Sequence, residues 1–433
     1  DVVELLQHTP ADEALIAMPG IARERLRQIY LRLLQAGFVQ IRIVPSVAQI
    51  VDGEAHLIQA RNIDAEDLLG RNPVRMNLRA SLAYLRGKRV LITGAGGSIG
   101  SELARQLLSG GAERLYLFGH GENSIYEIDR ELRILQEEGV GERATIVPVI
   151  GELQDADYVH FIIRRLRADV VFHTAAHKHV PMMEANPVEA VKNNVFGTSN
   201  LVAACSASGV DRFVMISTDK VVEPVSMYGA SKRIAEALVL SQPRDHSAFI
   251  VVRFGNVLGS RGSIIPLFKK QILKGGPITL THPDATRYFM TIPEASSLVL
   301  QAGGMGDAGG LYLLDMGEPL RIRDIADQMV RFYGYEPEID IRYETIGMRP
   351  GEKITEGLYD PEEKPSPTSF PRINRADGSQ GLVPHVTEII ESLRDICFYN
   401  PDRPDSFRNR IRLRAAIARY IPTIEANSDE PEF

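Results

Sequence analysis

The chain has 433 residues, enough for two or three domains with cores of their own. A formal net charge of −7 argues against a nucleic-acid binder, although a few local arginines could still hold a small phosphorylated ligand. No apolar run approaches the roughly 18 to 20 residues of a membrane-spanning helix, and the two cysteines, Cys205 and Cys397, lie far apart, which suits a reducing compartment and no disulfide.

Residues 1–76 read as a small α/β unit. Ala14–Met18 has strand character and ends at Pro19-Gly20. Leu26, Ile29, Tyr30, Leu33 and Leu34 then fall at helical spacing before Gly37, and Ile41–Val44 supplies a second strand. No glycine fingerprint accompanies this strand-helix-strand, so a scaffold role without chemistry is expected. Asn77 to Lys88 reads as a linker (77–87) with a short lead-in helix. The start at Asp1, in mid-pattern, is expected of a piece of a longer polypeptide.

From Lys88 to about residue 250, strands and helices alternate, which predicts a parallel sheet covered on both faces. Strands are expected at Arg89–Thr93, Arg114–Phe118, Thr145–Ile150, Val170–Thr174, Arg212–Ser217 and Ala248–Arg253. Helices are expected at Ile99–Ser109, Ser124–Glu137, Gln154–Arg167, Pro187–Ala207 and Tyr228–Ser241. The fold class is therefore α/β, a doubly wound parallel sheet with its ligand crevice at the carboxyl ends of the strands. Residues 88–433 are expected to form one domain on this sheet, with a ligand-binding lobe mainly in 255–292 and 335–433.

Thr93-Gly94-Ala95-Gly96-Gly97-Ser98-Ile99-Gly100 directly follows the apolar run Val90–Ile92. A strand, a glycine turn and a helix start in that order make a pyrophosphate cradle. The carboxylate that normally takes the ribose hydroxyls after the second strand is missing, and Gly119-His120-Gly121 stands there instead. A 2′-phosphate is then not repelled and His120 could touch it, so NADP is favoured over NAD. Ser217-Thr218-Asp219-Lys220 is followed by Tyr228-Gly229-Ala230-Ser231-Lys232, the YxxxK pair of a carbonyl–alcohol redox site. A tyrosine with a pKa of about 10 becomes a usable base if the Lys232 ammonium and a cationic nicotinamide favour the phenolate. Asp219 and Lys220 read either as a surface ion pair or as a second acid–base pair, which a water-eliminating enzyme needs and a simple dehydrogenase does not. Three histidines follow the fourth strand, His173, His177 and His179, but no carboxylate or thiol completes a metal spacing, so contact with cofactor and substrate is expected there, with Lys178 reaching a phosphate or sugar oxygen. Arg253, Asn256, Arg261, Arg287, Arg349 and Lys353, near glycine and proline turns, suit a diphosphate.

On the motifs TGAGGSIGSELARQL, AAHKHVPMME, NNVFGT, ISTDK, YGASKR, VRFGNVLGSRGSIIPLF, TRYFMTIPEA and GMRPGEK, residues 88–360 resemble the nucleotide-sugar 4,6-dehydratases of the extended short-chain dehydrogenase/reductase superfamily. The branch resembled is the polysaccharide-biosynthesis type that acts on UDP-N-acetylglucosamine. The amino-terminal unit resembles the cytoplasmic linker domain of larger members, whose transmembrane helices precede it. Many of those carry methionine where this chain has Tyr228, and other dehydratases carry glutamate where it has Lys220. The resemblance implies C4 oxidation by Tyr228 and Lys232, with Thr218 on the C4 oxygen, C5 proton abstraction by Lys220 and protonation of the leaving C6 hydroxyl by Asp219. The contacts then expected for a tightly bound NAD(P) are Gly94, Gly96, Gly97, Ser98, Ile99, Gly100, His120, Glu152, Leu153, Ala175, Ala176, Asn194, Tyr228 and Lys232. Those expected for the UDP-sugar are Lys178, Arg253, Asn256, Arg261, Gly262, Arg287, Arg349 and Glu352. A homo-oligomer is implied, as is a parent protein anchored in the inner membrane by segments missing from this chain, with this part facing the cytoplasm. Two rivals stand beside this reading, a UDP-sugar 4-epimerase and a dinucleotide-sensing module without turnover.

Overall fold

The computed structural model describes residues 11, 13–18, 21, 23–38, 40–43, 61–62, 82–243, 247–305, 310–378 and 381–425. Apolar runs buried on both faces make the central sheet. Its strands are β4 (Arg89–Thr93), β5 (Arg114–Gly119), β6 (Thr145–Ile150), β7 (Val170–His173), β8 (Arg212–Thr218), β9 (Ala248–Phe254) and β14 (Gly310–Leu314), extended by β17 (Glu363–Pro367) and β18 (Ile373–Gly378). The nine strands lie in the order β17-β18-β14-β9-β8-β7-β4-β5-β6. From β14 to β6 every pairing is parallel, while β18 is antiparallel to both β14 and β17. The chain reverses its direction of travel across the sheet between β4 and β7, and the crevice at such a switch point takes the ligand. Thr93 and His173 face each other at that point.

Helices α2 (Ser98–Ser109), α3 (Glu122–Glu137) and α10 (Ile292–Gly304) cover one face of the sheet. Helices α4 (Ala156–Leu166), α7 (Gly197–Ala207) and α8 (Met227–Leu240) cover the other. The strands expected between residues 88 and 254 all form, each within a residue of its expected end, while the one expected at Ala14–Met18 ends at Ile16. The expected helix over 187–207 is instead α6 (Pro187–Val191), a π-helical turn at Lys192–Phe196, and α7.

The carboxyl-terminal third departs from expectation. A separate apolar cluster is built from α9 (Ile264–Leu273), β11 (Ile278–Leu280), α11 (Ile322–Phe332) and β16 (Tyr343–Thr345). Of residues 335–433, the part that joins this cluster is β16 with its flanks. The hairpin β17–β18 belongs to the main sheet, and α12 (Val386–Cys397) and α13 (Arg410–Ala418) pack their apolar sides on α6 and α8. The reason is the stripe Val386, Ile389, Ile390, Leu393 and Ile396, which finds its complement in Val188, Val191, Ile234 and Leu238.

In the amino-terminal unit, β1 (Glu13–Ile16) and β2 (Gln40–Ile43) pair in parallel, with α1 (Arg23–Gln35) between them in the chain. Tyr30 of α1 stacks on Phe332 of α11 with ring centroids 4.8 Å apart, which joins the unit to that apolar cluster. Residues 77–81 of the expected linker lie outside the described residues, and a 3₁₀ turn at Ala83–Leu85 leads into β4.

Candidate active site

The glycine turn closes on the switch point. Gly94 has φ of +67°, and a Cβ there would lie 2.8 Å from the backbone of Ala175, the second residue after β7. A side chain is excluded by both conformation and contact. Gly97 stands as the N-cap of α2 and no side chain caps that end, so the first-turn N–H groups remain available to an anion. Ser98, Ile99 and Gly100 form that first turn, and a Cβ on Gly100 would overlap the Gly94 carbonyl. Ala175 and Ala176 line the opposite bank. Glu152 and Leu153 follow β6, where Leu153 is buried and its carbonyl accepts a hydrogen bond from Asn200 at 2.9 Å. His120 stands exposed directly after β5, and no carboxylate precedes Glu122, the first residue of α3.

Asn194 is fully buried in the π-helical turn. Its side chain accepts from the His177 N–H at 2.9 Å and donates to the His177 carbonyl and to Ser231 Oγ, each at 3.0 Å. It therefore braces the loop after β7 against α8, and the irregular turn is what points it there. His173 is a core strut between Thr93 (2.7 Å) and Thr198 (2.9 Å), and burial pushes its pKa down to about 3, so the ring is neutral. Among the described residues no group of three His, Cys, Asp or Glu side chains could hold a metal ion. Cys205 and Cys397 are buried free thiols.

β8 ends at Thr218 and the chain turns at once into a 3₁₀ turn, Asp219–Val221. In an extended segment Asp219 and Lys220 would point to opposite sides; the turn gathers them. Thr218 Oγ1 donates to Asp219 Oδ1 at 2.9 Å, and Lys220 Nζ donates to the same oxygen at 3.0 Å and to Asn256 Oδ1 at 3.2 Å. Asp219 is wholly buried, so the surface-pair reading of Asp219 and Lys220 fails. Tyr228 and Lys232 lie one turn apart on α8, whose first turn Ser226 caps by accepting from the Gly229 N–H. The Thr218 hydroxyl adjoins the Tyr228 phenol. Lys232 Nζ donates to the Ile216 carbonyl at 2.7 Å.

Burial dominates the electrostatics here. It pushes Lys232 down to about 8, with Glu236 opposing the shift. It also holds Tyr228 above the ordinary tyrosine range; the adjoining Thr218 hydroxyl lowers it, and the Asp219 and Glu356 carboxylates raise it further. In the protein by itself desolvation outweighs the nearby Lys232, so the expected help of a second cation beside the phenol is what the phenolate would require.

The expected substrate arginines separate. Arg253 is not a ligand for diphosphate. It is fully buried and forks onto Glu236 (2.8 Å) and Glu363 (2.7 Å), tying β9 to α8 and β17. Arg287 donates to the carbonyls of Thr286, Lys353 and Ile354, so it orders the loop 353–355. Arg349 pairs with Glu352 at the surface. Arg261 reaches the glycine turn instead, with its N–H on Ser98 Oγ at 3.1 Å and its guanidinium on the Gly96 carbonyl at 3.0 Å, while Gly262 lies against the His179 ring. Lys178 stands exposed at the rim, and burial of its neighbourhood and the Lys220 cation both lower its pKa.

Two residues went unread in the sequence. Glu356 is buried with Oε1 3.9 Å from Lys220 Nζ, and its desolvated carboxyl is raised above the usual range. Glu184 accepts from the Met227 N–H at 2.6 Å, pinning the start of α8, and is itself held by Arg414 of α13 at 2.7 Å. Only the proximity of Glu356 to the GMRPGEK motif could have signalled the first, and the second closes the motif AAHKHVPMME without a role having been read for it.

Residues 90–377 match the family described as polysaccharide biosynthesis protein. The chain belongs to that family. It is 43% identical over 395 residues to the capsular polysaccharide biosynthesis protein CapD of Staphylococcus aureus, covering 91% of this chain and 65% of that protein. The chain thus spans about two thirds of that relative's length. It is 30% identical to a UDP-N-acetylglucosamine 4,6-dehydratase (inverting) of Campylobacter jejuni, over 62% of this chain and 77% of that one. A UDP-glucose 4-epimerase of Rickettsia bellii is 31% identical over 64% of this chain and 79% of its own length. Among solved structures, Pen from Bacillus thuringiensis superposes with a TM-score of 0.61 at 32% identity, covering 68% of this chain and 89% of that one. The chain shares the extended short-chain dehydrogenase/reductase fold with these proteins.

Proposed function

We propose that the chain is a UDP-N-acetylglucosamine 4,6-dehydratase, forming the 4-keto-6-deoxy sugar for a surface glycan. One observation carries the reading. A second acid–base pair, Asp219 and Lys220, is hydrogen-bonded at 3.0 Å beside the Thr218–Tyr228 pair, where a redox-only enzyme needs none. The glycine turn and the uncapped end of α2 fit the pyrophosphate of a nicotinamide dinucleotide. Gly94, Gly96, Gly97, Ser98, Ile99, Gly100, Ala175 and Ala176 would hold it, together with Glu152, Leu153 and Asn194. NADP over NAD rests on His120 replacing a carboxylate after β5. When bound, the nicotinamide supplies the hydride acceptor for C4, the hydride donor for C6, and the cation that Tyr228 lacks.

Tyr228 takes the proton of the C4 hydroxyl as the ketone forms, with Thr218 on the C4 oxygen. Lys220 takes the C5 proton, acidified by that ketone. Asp219 gives a proton to O6, the C6–O6 bond breaks, and water leaves. Lys220 returns its proton to C5. Asn256 orients Lys220 through the 3.2 Å hydrogen bond, and Lys178 at the rim is placed for the diphosphate or sugar, with Arg349 and Glu352 on the facing loop. Assembly as a homo-oligomer, and a membrane-anchored parent with this portion on the cytoplasmic side, belong to the same reading.

The rival with a specific basis is 4-epimerisation, because one relative carries that name and Tyr228 and Lys232 would serve it equally. Incubation with UDP-N-acetylglucosamine separates the readings. A 4-keto-6-deoxy product is expected; UDP-N-acetylgalactosamine would establish the epimerase, and no product at all the sensing module.

A further inference from the structure

On the dehydratase reading, one hydrogen of the sugar has no acceptor yet. Tyr228 and Thr218 meet the C4 oxygen, Lys220 meets C5, and Asp219 gives its proton to O6. The C6 hydroxyl that receives that proton still carries its own hydrogen, and a buried donor left unpaired weakens binding. Asp219 does not take it, because it is the donor to that oxygen and its Oδ1 is already held by Thr218 at 2.9 Å and Lys220 at 3.0 Å. Asn256 Oδ1 is likewise engaged by Lys220, at 3.2 Å.

Glu356 is the acceptor left over beside them. It is only 5% exposed, yet among the described residues no group donates a hydrogen bond to it, and its ion-pair contact with Lys220 Nζ, at 3.9 Å, is longer than a hydrogen bond. Its oxygens are not among the enclosed, unpartnered atoms, as Asp219 Oδ2 is, so they open on space that a ligand can fill. The segment that carries it is tied on two sides. Lys353 Nζ donates to the Val222 carbonyl at 2.8 Å, directly after the turn that bears Asp219 and Lys220. Arg287 donates to the carbonyls of Lys353 and Ile354, at 2.7 and 2.9 Å. These ties hold a carboxyl beside Lys220 without giving it a partner. Lys220 has its counter-ion in Asp219 already. Keeping an unpaired carboxyl out of water is costly, and a donor brought by a ligand offsets that cost.

We propose that Glu356 is a substrate contact that accepts the hydrogen of the C6 hydroxyl and selects sugars that carry one. The assignment rests on the dehydratase reading, which sets Lys220 against C5. Of the donors on the sugar, the C4 hydroxyl is committed to Tyr228, the C3 hydroxyl lies beyond C4, and the acetamido N–H lies across the ring. The C6 hydroxyl stands on the carbon next to C5, within reach of a carboxyl that flanks Lys220. Held there, the C6–O6 bond keeps a fixed angle to the C5–H bond. In the elimination the C5 proton goes to Lys220 and its electron pair becomes the C5–C6 double bond. The C6–O6 pair goes to oxygen, the proton of Asp219 joins it, and water leaves with its first hydrogen still directed at Glu356. Glu356 itself neither gains nor loses a proton. A site built to pair a substrate hydroxyl rejects the analogue that lacks it, because its buried acceptor is then left unpaired.

Calorimetric titration would compare UDP-N-acetylglucosamine with its 6-deoxy analogue on the wild type, Glu356→Leu and Glu356→Gln. Each protein is loaded with the reduced dinucleotide, which cannot accept the C4 hydride, so the sugar is bound without turnover. The wild type is expected to favour the 6-hydroxy sugar at least about tenfold, the scale of a hydrogen bond to a charged acceptor, and Glu356→Leu to bring that preference within about twofold. Glutamine keeps a neutral acceptor in the same space and is expected to fall between them. Denaturant midpoints check the fold: Glu356 has no hydrogen-bond partner to lose, so both variants should be at least as stable as the wild type. Should leucine unfold the protein, the glutamine variant carries the comparison. A tenfold preference that survives in Glu356→Leu, or no preference in the wild type, would overturn the contact while a 4-keto-6-deoxy product leaves the dehydratase reading in place. Formation of the C4 epimer by the wild type would overturn that reading and the role of Glu356 together, because epimerisation leaves the C6 hydroxyl where it is.

Discussion

Lys220 is the residue on which dehydration and epimerisation part. Its Nζ is tethered by Asp219 and Asn256 and flanked by Glu356 at 3.9 Å. A positioned acid or base contributes about 10²–10⁴-fold, so Lys220→Met should lose 4-keto-6-deoxy product by that factor while still binding dinucleotide and UDP-sugar. Solvent deuterium should also cease to enter C5. Near-normal dehydration by Lys220→Met would return the site to the epimerase reading. Arg253 makes the opposite case, a residue chosen for diphosphate that proves to be internal structure. Removing one partner of a buried ion pair leaves the others uncompensated and costs about 3–5 kcal/mol. Arg253→Met should therefore lower the denaturant midpoint sharply, because Glu236 and Glu363 would remain buried without it. Both outcomes are read by chemical denaturation and a product assay. The sequence made Thr218, Asp219, Lys220, Tyr228 and Lys232 legible because they are close in the chain. It hid the pairing of Arg253 with Glu363, 110 residues apart, since an arginine beside a glycine looks the same whether it meets a ligand or a carboxylate.

Among the elements, α8 carries the most: Tyr228, Lys232 and Glu236 stand on it, and nearly all of it is buried. Burial lowers the pKa of Lys232 in the folded protein to about 8 from an ordinary 10.5. Between those two values the unfolded chain binds the proton more tightly than the folded one, so stability rises with pH across that window. Below about pH 8 the cost of burying the ammonium is present in full. Lys232→Met should thus gain stability over the wild type at pH 7, and the gap should narrow as pH climbs from about 8 towards 10.5; urea titrations at several pH values would show it. A constant gap would mean that the lysine is not desolvated. The parallel strands were readable to within a residue because both faces of each are covered, leaving unbroken apolar runs between turn signals. The π-helical turn at Lys192–Phe196 was not, since a register shift inside a helix leaves the apolar pattern almost unchanged, and Asn194 owes its place to it.

Taken whole, the molecule is less modular than its sequence suggests. The carboxyl-terminal residues looked like part of a substrate lobe because their Gly and Pro turns resemble those around residue 275. Helices α12 and α13 instead complete the layer behind the catalytic helix, and Arg414 of α13 holds Glu184, which holds the start of α8. Truncation after residue 381 should therefore yield no folded, dinucleotide-binding protein, although the truncated chain would keep the glycine turn, Tyr228 and Lys232. Circular dichroism melting and dinucleotide titration would test this; a cooperative melt with normal binding would restore the modular view.

The contact of Arg261 with the glycine turn reaches further. A segment 163 residues away in the chain bonds to Ser98 and Gly96, and on the dehydratase reading a dinucleotide held by that turn would be a fixture and not a visitor. A captive carrier cannot be renewed by trading places with a fresh one. It returns to its starting state only if the same sugar that surrendered the hydride stays to take it back. Should a half-processed sugar escape, the stranded hydride would leave that molecule idle until another ketone arrived. The strap makes the grip on the sugar, no less than the speed of any single step, the measure of how long each copy of this enzyme keeps working.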